Sequence, residues 1–547
     1  MQNSFKKSLL MVALGLGVTA TTTVMAANVP AGTELADKQE LVWNISANPA
    51  TLDPQKMEGD VEGNYAHQLY ETLVISDAKG HILPGVASSW DHSEDFKTWT
   101  FHLRPEAKWS NGDPVVAGDF VYAWQRLADP KTASPYSSYL DFLKLANADK
   151  VIAGKAPVTD LGVEAKDDHT LVLHLTESVP YVDKLVEHYV LSPVNPKVVE
   201  KFGDKWTAPE NLVGNGAFVL KSQVVNEKAV LERNPYYWDN AKTVLNKVTL
   251  LPIESSATDV SRYRAGDEDM TGKEIPIELF AKLKKELPDE LHISPLLCTY
   301  LYEVNTAKAP FDNAKVRRAL SLALDRNIIT DKILQQGQTP AYIFTPPFIN
   351  GAEKMKNPEW ASWDQNKRNQ EAIKLLKEAG YDKAHPLTFN LLYNTSDNHK
   401  KLAIAAQSIW KKNLQGVVNI NLENQEWKTY LDSRHQGNYQ MARAGWCADY
   451  NEASTFLNYY ISNSANNTAF YKSKAYDDLI AFAFKTQTDE ERADVYAKAE
   501  AQLDADTAMV PVYHYVQPRL IKPWVKGFAD AHPGQNYYLK DVYIIKH

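Results

Sequence analysis

The side chains best placed to do chemistry lie in one short segment, residues 441–452, whose sequence is MARAGWCADYNE. Its small residues and its cysteine indicate an ordered, crowded backbone, yet Arg443 and Asp449 stand six positions apart within it. Burial of a charged group without a partner costs on the order of several kcal/mol. We therefore expect both charges to be neutralised, either by an internal ion pair of Arg443 with Asp449 or Glu452, or by a ligand.

A ligand that neutralises both charges would carry one cation and one anion. Short peptides of any sequence do so, since they share a terminal ammonium, a terminal carboxylate and the backbone groups between them. Asp449 suits the ammonium, the main chain of residues 445–447 can pair with an extended ligand as an added strand, and a cation at the far end can hold the carboxylate. The segment therefore predicts a site for peptides of varied sequence, held by their backbones and termini.

Aromatic residues supply candidates for the walls of such a site. The chain contains 13 Trp and 28 Tyr, and aromatic walls accept many side chains without imposing one hydrogen-bond pattern. Most of these residues are expected in the hydrophobic core. Two of them are singled out by their positions in the sequence: Trp427 follows the polar residues 424–426, and Tyr515 lies at the end of a predicted strand.

Enzymatic chemistry is poorly supported by the motifs. Ser76 and Lys79 fit an SxxK pattern and residues 396–398 fit SDN, but no KTG follows, and Ser76 lies in a turn rather than at a helix start. Residues 266–273 resemble a phosphate-binding loop that is one residue too long, with Glu274 where Ser or Thr would hold magnesium. There is no HExxH, GxSxG or GxGxxG. We therefore expect no catalysis, no metal site and no cofactor.

Cys298 and Cys447 are the only cysteines in the chain. In an oxidising compartment an even pair is typical of one disulfide, and two buried free thiols are the alternative. A bridge that closes a loop of about 150 residues stabilises a fold by roughly 5 kcal/mol in the chain-entropy model. Neither cysteine has a second Cys or a His at metal-ligand spacing, so zinc binding is not expected.

The first residues are typical of a cleavable secretory signal. Lys6 and Lys7 precede a short apolar run that ends in small residues, and we expect cleavage after Ala26 and export to the periplasm. The run is shorter than the roughly 20 apolar residues of a membrane span, and the region has no cysteine for a lipid anchor. The mature chain is therefore expected to be free of the membrane.

The size and charge of the expected mature chain, residues 27–547, narrow the class of protein. It is well above the roughly 250–300 residues at which one hydrophobic core stops growing, so at least two domains with a cleft between them are predicted. Without Lys6 and Lys7 it holds 57 basic and 68 acidic side chains, a net charge of −11. Nucleic-acid binding needs a basic face, so this charge argues against it.

The elements that must position the candidate residues alternate between strands and helices, which predicts a mixed α/β fold. Trp99, Phe101 and Leu103 alternate as a half-buried strand, and apolar residues at helical spacing follow over residues 120–127. Further helices are predicted after a cap at Asp312 or Asn313, over residues 369–379 and after the capping residue Thr488. Further strands are predicted over residues 387–393 and 509–516.

Several longer stretches carry a resemblance to a known family. They include TLDPQKMEG (51–59), WTFHLRPEAKWSNGDPV (99–115), PFDNAKVRRALSLALDR (310–326), NQEWKTYLDSRHQG (424–437) and RAGWCADYNE (443–452). Through them the chain resembles the solute-binding proteins of family 5, in the branch that binds oligopeptides, over nearly all of its length after the signal. The resemblance implies a receptor that binds extended peptides of roughly two to five residues and delivers them to the membrane permease of an ABC importer.

The resemblance also implies an architecture. It is the α/β fold of the class II periplasmic binding proteins, with two lobes built from three domains, a hinge, and a deep cleft between the lobes that closes on the ligand. The implied division is domain I over residues 27–71, 196–297 and 517–547, domain II over 72–195, and domain III over 298–516. Such a receptor is expected to act as a monomer.

Site residues follow from the resemblance by motif position. Asp449 is implied as the anchor of the peptide ammonium, and Arg443 and His399 as groups that serve the carboxylate of ligands of different length. Main-chain contacts are implied for Glu58, Gly445 and Cys447, pocket walls for Tyr136, Trp427, Arg434 and Tyr515, and a peptide-binding position for Trp446. The branch also has a disulfide at the positions of Cys298 and Cys447, which the related murein-tripeptide receptor lacks.

Three positions depart from the pattern of the branch. Leu334 stands where a lysine binds the ligand carboxylate, so one ligand length is expected to bind less well. Lys273 stands where a relative has an asparagine in the cleft, and Asp60 where it has a valine. We hypothesise that Lys273 partly replaces the missing cation or favours acidic ligand side chains.

Two other kinds of function stay open at this point. A receptor of the same family for another cargo, such as murein tripeptide, dipeptides, nickel or haem, would be distinguished by the cysteine pair and Asp449. A periplasmic peptidase or a peptide-binding chaperone belongs to a different class, and catalytic residues can converge from distant positions without forming a motif.

Overall fold

The computed structural model describes residues 29–486, 488–532 and 534–547. The predicted signal sequence and its cleavage site lie outside the described residues. The strands are β1 Glu40–Asn44, β2 Val74–Ser76, β3 Ile82–Pro84, β4 Ala87–His92, β5 Thr98–Leu103, β6 Val163–Asp167, β7 Thr170–His174, β8 Phe218–Val224, β9 Lys228–Arg233, β10 Lys247–Leu251, β11 Leu291–Val304, β12 Thr339–Pro340, β13 Leu387–Asn394, β14 Val418–Gln425, β15 Met441–Cys447, β16 Met509–Leu520, β17 Val525–Lys526 and β18 Tyr543–Ile544.

Helices separate most of these strands. They are α1 Asp60–Leu69, α2 Ala117–Ala128, α3 Tyr139–Phe142, α4 Ala148–Ile152, α5 Val182–Leu185, α6 Pro196–Phe202, α7 Ser256–Ala265, α8 Ile277–Glu286, α9 Ala314–Ala323, α10 Gln365–Glu378, α11 Asp397–Asn413, α12 Trp427–His435, α13 Ser454–Leu457, α14 Lys474–Ala483 and α15 Asp489–Asp506, with a π-helix at Ile328–Leu334. No helix in the described part of the chain has both the length and the apolar character that a membrane crossing requires.

Three larger sheets organise the fold. One has the strand order β1-β10-β9-β8, a second β4-β5-β7-β6, and the third, with six strands, β12-β16-β11-β15-β13-β14. Strands β11 and β16 pair antiparallel over most of their length, and β16 continues past the predicted end at residue 516 to Leu520. There the amide of Thr271 donates to the carbonyl of Leu520 at 3.0 Å. The two long strands therefore connect the six-stranded sheet to the region of the first sheet.

The predicted local elements are present, and two of them, β16 and α10, extend beyond the predicted boundaries. The alternating residues of β5 and the apolar face of α2 are buried as predicted. Asn313 and Thr488 cap α9 and α15, because each side chain accepts a hydrogen bond from an amide of the first turn. Helix α10 begins at Gln365 rather than at residue 369, since the side chain of Asp364 caps it there.

The two cysteines form a disulfide, as predicted, and the alternative of two free thiols is wrong. Cys298 on β11 lies directly opposite Cys447 on β15 in the antiparallel register. The bridge therefore joins two neighbouring strands in the middle of the six-stranded sheet, although 149 positions separate the cysteines along the chain. It fixes the end of β15, which carries the candidate site residues.

A buried ion pair holds α12 against the six-stranded sheet. The carboxylate of Glu303 on β11 is fully buried and accepts hydrogen bonds from Arg434 Nε at 3.2 Å and Nη2 at 3.1 Å. The hydroxyls of Tyr439, Tyr459 and Thr468 also donate to it, at 2.7–3.0 Å. Burial alone would raise the pKa of Glu303, but the charge of Arg434 and these hydrogen bonds hold it below its ordinary value.

Replacement of Arg434 by methionine is expected to lower the free energy of unfolding by about 3–5 kcal/mol, because it leaves a buried carboxylate without its cation. Adding Glu303→Gln should restore a large part of the loss, since the charge that needs a partner is then absent. Urea unfolding of the wild type, the single variant and the double variant, followed by circular dichroism, measures both effects.

Arg264→Met is the matched control for this pair. Its partner Glu286 lies on the surface, with both side chains about two-fifths exposed. Loss of this surface pair should cost no more than about 1 kcal/mol. A double variant no more stable than Arg434→Met would contradict the role given to the buried pair.

Candidate ligand-binding cleft

A cavity of about 320 Å³ lies between the six-stranded sheet and the segments around α1. Residues 43–47 and 58–61 line one side of it, and residues 445–449 with part of α12 line the other. Its volume lies within the roughly 300–1,000 Å³ of pockets that bind small ligands. The cavity is thus large enough to be a binding site.

Every residue predicted for the site lines this cavity. The lining includes Glu58, Tyr136, Lys273, His399, Trp427, Arg434, Arg443, Gly445, Trp446, Cys447, Asp449 and Tyr515, together with Cys298 of the disulfide. Leu334 does not line it and is buried at the end of the π-helix. Residues that are far apart in sequence are therefore brought to one cavity, and their roles toward a ligand stay a prediction.

Strand β15 presents an open main-chain edge beside the cavity. Strand β13 pairs with β15 only at Leu391–Met441 and Leu392–Ala442, before the two strands diverge. Within the described ranges no other strand takes that edge, and β11 occupies the opposite one. An open edge of this kind can accept an extended chain as an added strand. The main chain of residues 445–447 therefore has the geometry for backbone pairing.

Arg443 lines the cavity, and its guanidinium forms no ion pair with a carboxylate of the described residues. Its Nη2 donates to the hydroxyl of Tyr515 at 2.8 Å and its Nη1 to Oδ1 of Asn394 at 3.2 Å, while Nε has no partner. Glu452 pairs with Arg492, and Oδ1 of Asp449 lies beside His188. The alternative of an internal ion pair of Arg443 with either carboxylate is therefore wrong.

Asp449 presents an anion to the same cavity. Its Oδ1 lies 3.2 Å from Nε2 of His188, and its side chain is 14% exposed. The amide of Val190 donates to Nδ1 of His188 at 3.3 Å, so the ring proton is on Nε2 and points at Asp449. A neutral imidazole donates a hydrogen bond but does not cancel the charge. The carboxylate therefore still lacks a counter-charge.

His399 is buried beside Glu274, with 3.8 Å between Nε2 and Oε1. Burial and the neighbouring cations Arg443 and Lys273 hold the pKa of His399 well below its ordinary value, so its imidazole is neutral. Its Nδ1 has no partner. A role in carboxylate binding therefore depends on an N–H donor rather than on a positive charge.

Polar contacts cross the cleft in addition to that of His188. Glu58 Oε1 lies 2.7 Å from Nε2 of His435, and the hydroxyl of Ser396 donates to Glu274 at 3.0 Å. Sequence patterns predict no role in the site for His188, His435 or Glu274. His188 lies outside the stretches that carry the resemblance, His435 lies within residues 424–437 without an assigned role, and Glu274 only follows the loop-like run 266–273. These residues reach the site only because distant segments come together.

Lys273 and Asp60, two of the positions that depart from the family pattern, are paired with each other. Nζ of Lys273 donates to Oδ2 of Asp60, and both residues line the cavity. Because Asp60 already neutralises Lys273, the hypothesis that this lysine replaces the cation missing at Leu334 is weakened. The alternative hypothesis, that Lys273 favours acidic side chains of the ligand, requires the ion pair to rearrange when a ligand binds.

The motif fragments that suggested catalysis have structural roles. Ser396 of the SDN run caps α11 by accepting a hydrogen bond from the amide of His399 at 3.2 Å. The hydroxyl of Ser76 lies 2.7 Å from Nε2 of His532, but the amides of residues 534 and 536 donate to Nδ1 of that ring. Its proton is therefore on Nε2, and it cannot act as a general base for the serine. Among the residues described, no group of three His, Cys, Asp or Glu side chains could hold a metal ion.

Comparison with known proteins identifies the family. The chain matches the model of bacterial extracellular solute-binding proteins, family 5 Middle, over residues 81–468. It is 60% identical over 547 residues, covering 100% of both chains, to the periplasmic oligopeptide-binding protein OppA of Salmonella typhimurium.

Solved structures agree with this match. Haemophilus influenzae OppA in complex with RPPGFSPFR is 55% identical with a TM-score of 0.92, covering 94% of this chain and 100% of that one. The murein tripeptide-binding protein MppA of Escherichia coli is 46% identical with a TM-score of 0.91, covering 94% of this chain and 100% of that one. The unliganded open form of MppA has a TM-score of only 0.69, although it covers 95% of this chain and 99% of that one. The lobes of this chain are therefore not arranged as in that open form. The chain belongs to the bacterial extracellular solute-binding proteins of family 5.

Proposed function

We propose that this protein is a periplasmic receptor that binds short peptides through their backbones and termini, with little selection for sequence, and delivers them to the permease of an ABC importer. The observation that carries the proposal is the pair Asp449 and Arg443, two unlike charges without counter-charges beside one open strand edge. An extended chain advances about 3.3 Å per residue, so at most about 20 Å separates their Cα atoms. That span suits an extended peptide of roughly five residues or fewer.

Each residue of the cleft has a role in this proposal. Asp449 receives the peptide ammonium, and the main chain of residues 445–447 and Glu58 pairs with the peptide backbone. Arg443, and His399 as a neutral donor, take the carboxylate of ligands of different length. The side-chain pockets are bounded by Tyr136, Trp427, Arg434, Trp446 and Tyr515.

The proposal includes the three-domain division into residues 27–71 with 196–297 and 517–547, residues 72–195, and residues 298–516. The sheets support this division. The two four-stranded sheets each lie within one domain, and the six-stranded sheet lies in the third except for the ends of β11 and β16, which cross the boundary. Two strands that cross between lobes are what a hinge requires. We also propose cleavage after Ala26, on the pattern of the first residues, and, by analogy with the family, a monomer free in the periplasm that docks on a permease.

The nearest alternative is a receptor for murein tripeptide. Similarity to OppA of Salmonella typhimurium is higher than similarity to MppA, and the disulfide of Cys298 and Cys447 is the feature that the resemblance assigned to the oligopeptide branch. A peptidase is less supported, because the histidine beside Ser76 holds its proton on the wrong nitrogen. We therefore favour peptides of varied sequence as the cargo.

Asp449→Asn is expected to weaken the binding of free peptides by about 1.5–3 kcal/mol, the value of a hydrogen bond to a charged group. The change removes the charge but keeps an acceptor for His188, so the wall should hold its shape. N-acetylated peptides have no ammonium and should lose far less. Calorimetry with matched free and acetylated peptides measures the difference.

Asp478→Asn is the matched control, since Asp478 pairs with Lys474 on the surface of α14. Asp478→Asn should change the affinity neither for free peptides nor for N-acetylated peptides. Equal losses for free and acetylated peptides in Asp449→Asn would contradict the assignment of Asp449 to the ammonium.

Peptides recovered from the protein after incubation with a mixed pool are expected to be intact, because Ser76 and His532 do not line the cavity in which the peptide would bind. Mass spectrometry after denaturation identifies them and reports their lengths. Recovery of cleaved peptides would support hydrolysis instead, and recovery of murein tripeptide alone would support the narrower receptor.

A further inference from the structure

The ion pair of Asp60 and Lys273 lies on the cavity wall but serves neither terminus of a peptide in the proposed mode. Asp60 is the first residue of α1, and Lys273 follows Gly272, whose amide donates to Asp259 at 2.9 Å. Both backbone positions are therefore held in place. The two side chains remain 35% and 40% exposed, and they line the cleft.

A pair with this exposure rearranges easily. Exposed ion pairs are worth about 0–1 kcal/mol, so little is lost when their geometry changes. The ammonium of Lys273 has three N–H donors, and the carboxylate of Asp60 has about four acceptor positions. Each partner can therefore keep the other and still bind a ligand group of opposite charge.

The pair lies toward the Arg443 end of the cavity. Lys273 is close enough to His399 to contribute to the lowered pKa of that imidazole, and His399 in turn lies 3.8 Å from Glu274, the next residue after Lys273. Asp449 has its contact with His188 instead. In a peptide whose ammonium meets Asp449, the pair should face a later residue rather than the first.

We propose that Asp60 and Lys273 form a charge-tolerant subsite for one side chain of the bound peptide. Lys273 binds an acidic side chain, Asp60 binds a basic one, and the two close on each other when the side chain is neutral. The inference depends on the proposed peptide-binding function. A lone charge at this wall would repel side chains of its own sign, whereas the pair accepts both.

Calorimetry with trialanine peptides that carry Glu, Lys or Gln at the first, second or third position tests the subsite. The wild type should bind the Glu and Lys peptides at least as tightly as the Gln peptides. Asp60→Asn should tighten the Glu peptide and weaken the Lys peptide by about three- to tenfold each at one later position. Lys273→Gln should do the reverse, and the double variant should lose both preferences.

The Gln peptides report folding and binding of the termini, and their affinity should stay within about twofold in every variant. Glu254→Gln, which removes a different acid from the cavity wall, is the matched control and should shift Glu and Lys peptides far less. Shifts that are equal for all three peptides, confined to the first position, or matched by Glu254→Gln would overturn the subsite. A wild type that binds none of the tripeptides would overturn the proposed function itself.

Discussion

Two unlike charges that the chain does not neutralise are the constraint on which the rest of the cleft depends. Arg443 has hydroxyl and amide partners but no described carboxylate, and Asp449 has only the N–H of a neutral imidazole. Charges in a partly dehydrated cavity are tolerated when hydrogen bonds hold them and a counter-charge arrives. The fold therefore keeps both groups rigid and leaves the counter-charges to a ligand.

That rigidity comes from the way β15 is held. Pairing with the neighbouring strand β13 ends at Ala442. Beyond that residue, β15 is held on one side by pairing with β11 and by the disulfide at its end. The hydroxyl of Tyr430 on α12 donates to the carbonyl of Arg443, and the pair of Glu303 with Arg434 holds α12 in place. The edge of β15 therefore stays open while β11, the disulfide and the hydrogen bond of Tyr430 hold the strand in place.

Sequence patterns predict those parts of this structure whose cause is local. Caps such as Thr488 and the burial of β5 follow from neighbouring residues. The partners of the side chains in the cleft cannot be predicted locally, because they come from distant parts of the chain: Glu303 neutralises Arg434 from 131 positions away, and His188 contacts Asp449 from 261 positions away. Six positions between Arg443 and Asp449 suggested an ion pair, but a strand carries its residues apart along its length, and the two charges stay separate.

Closure of the cleft and selection for free termini are one physical effect. The contacts that cross the cleft, such as Glu58 with His435 and Ser396 with Glu274, are single hydrogen bonds worth roughly 0.5–1.5 kcal/mol each. Closure without a ligand would gain these bonds but would dehydrate Asp449 and Arg443 without counter-charges. A ligand shifts the equilibrium only by its differential affinity for the closed form. In the proposed binding mode, a peptide with both termini free removes the cost at both charges. A ligand with one blocked terminus would leave the closed form with an uncompensated charge, so it would close the lobes less well even where every other contact is the same.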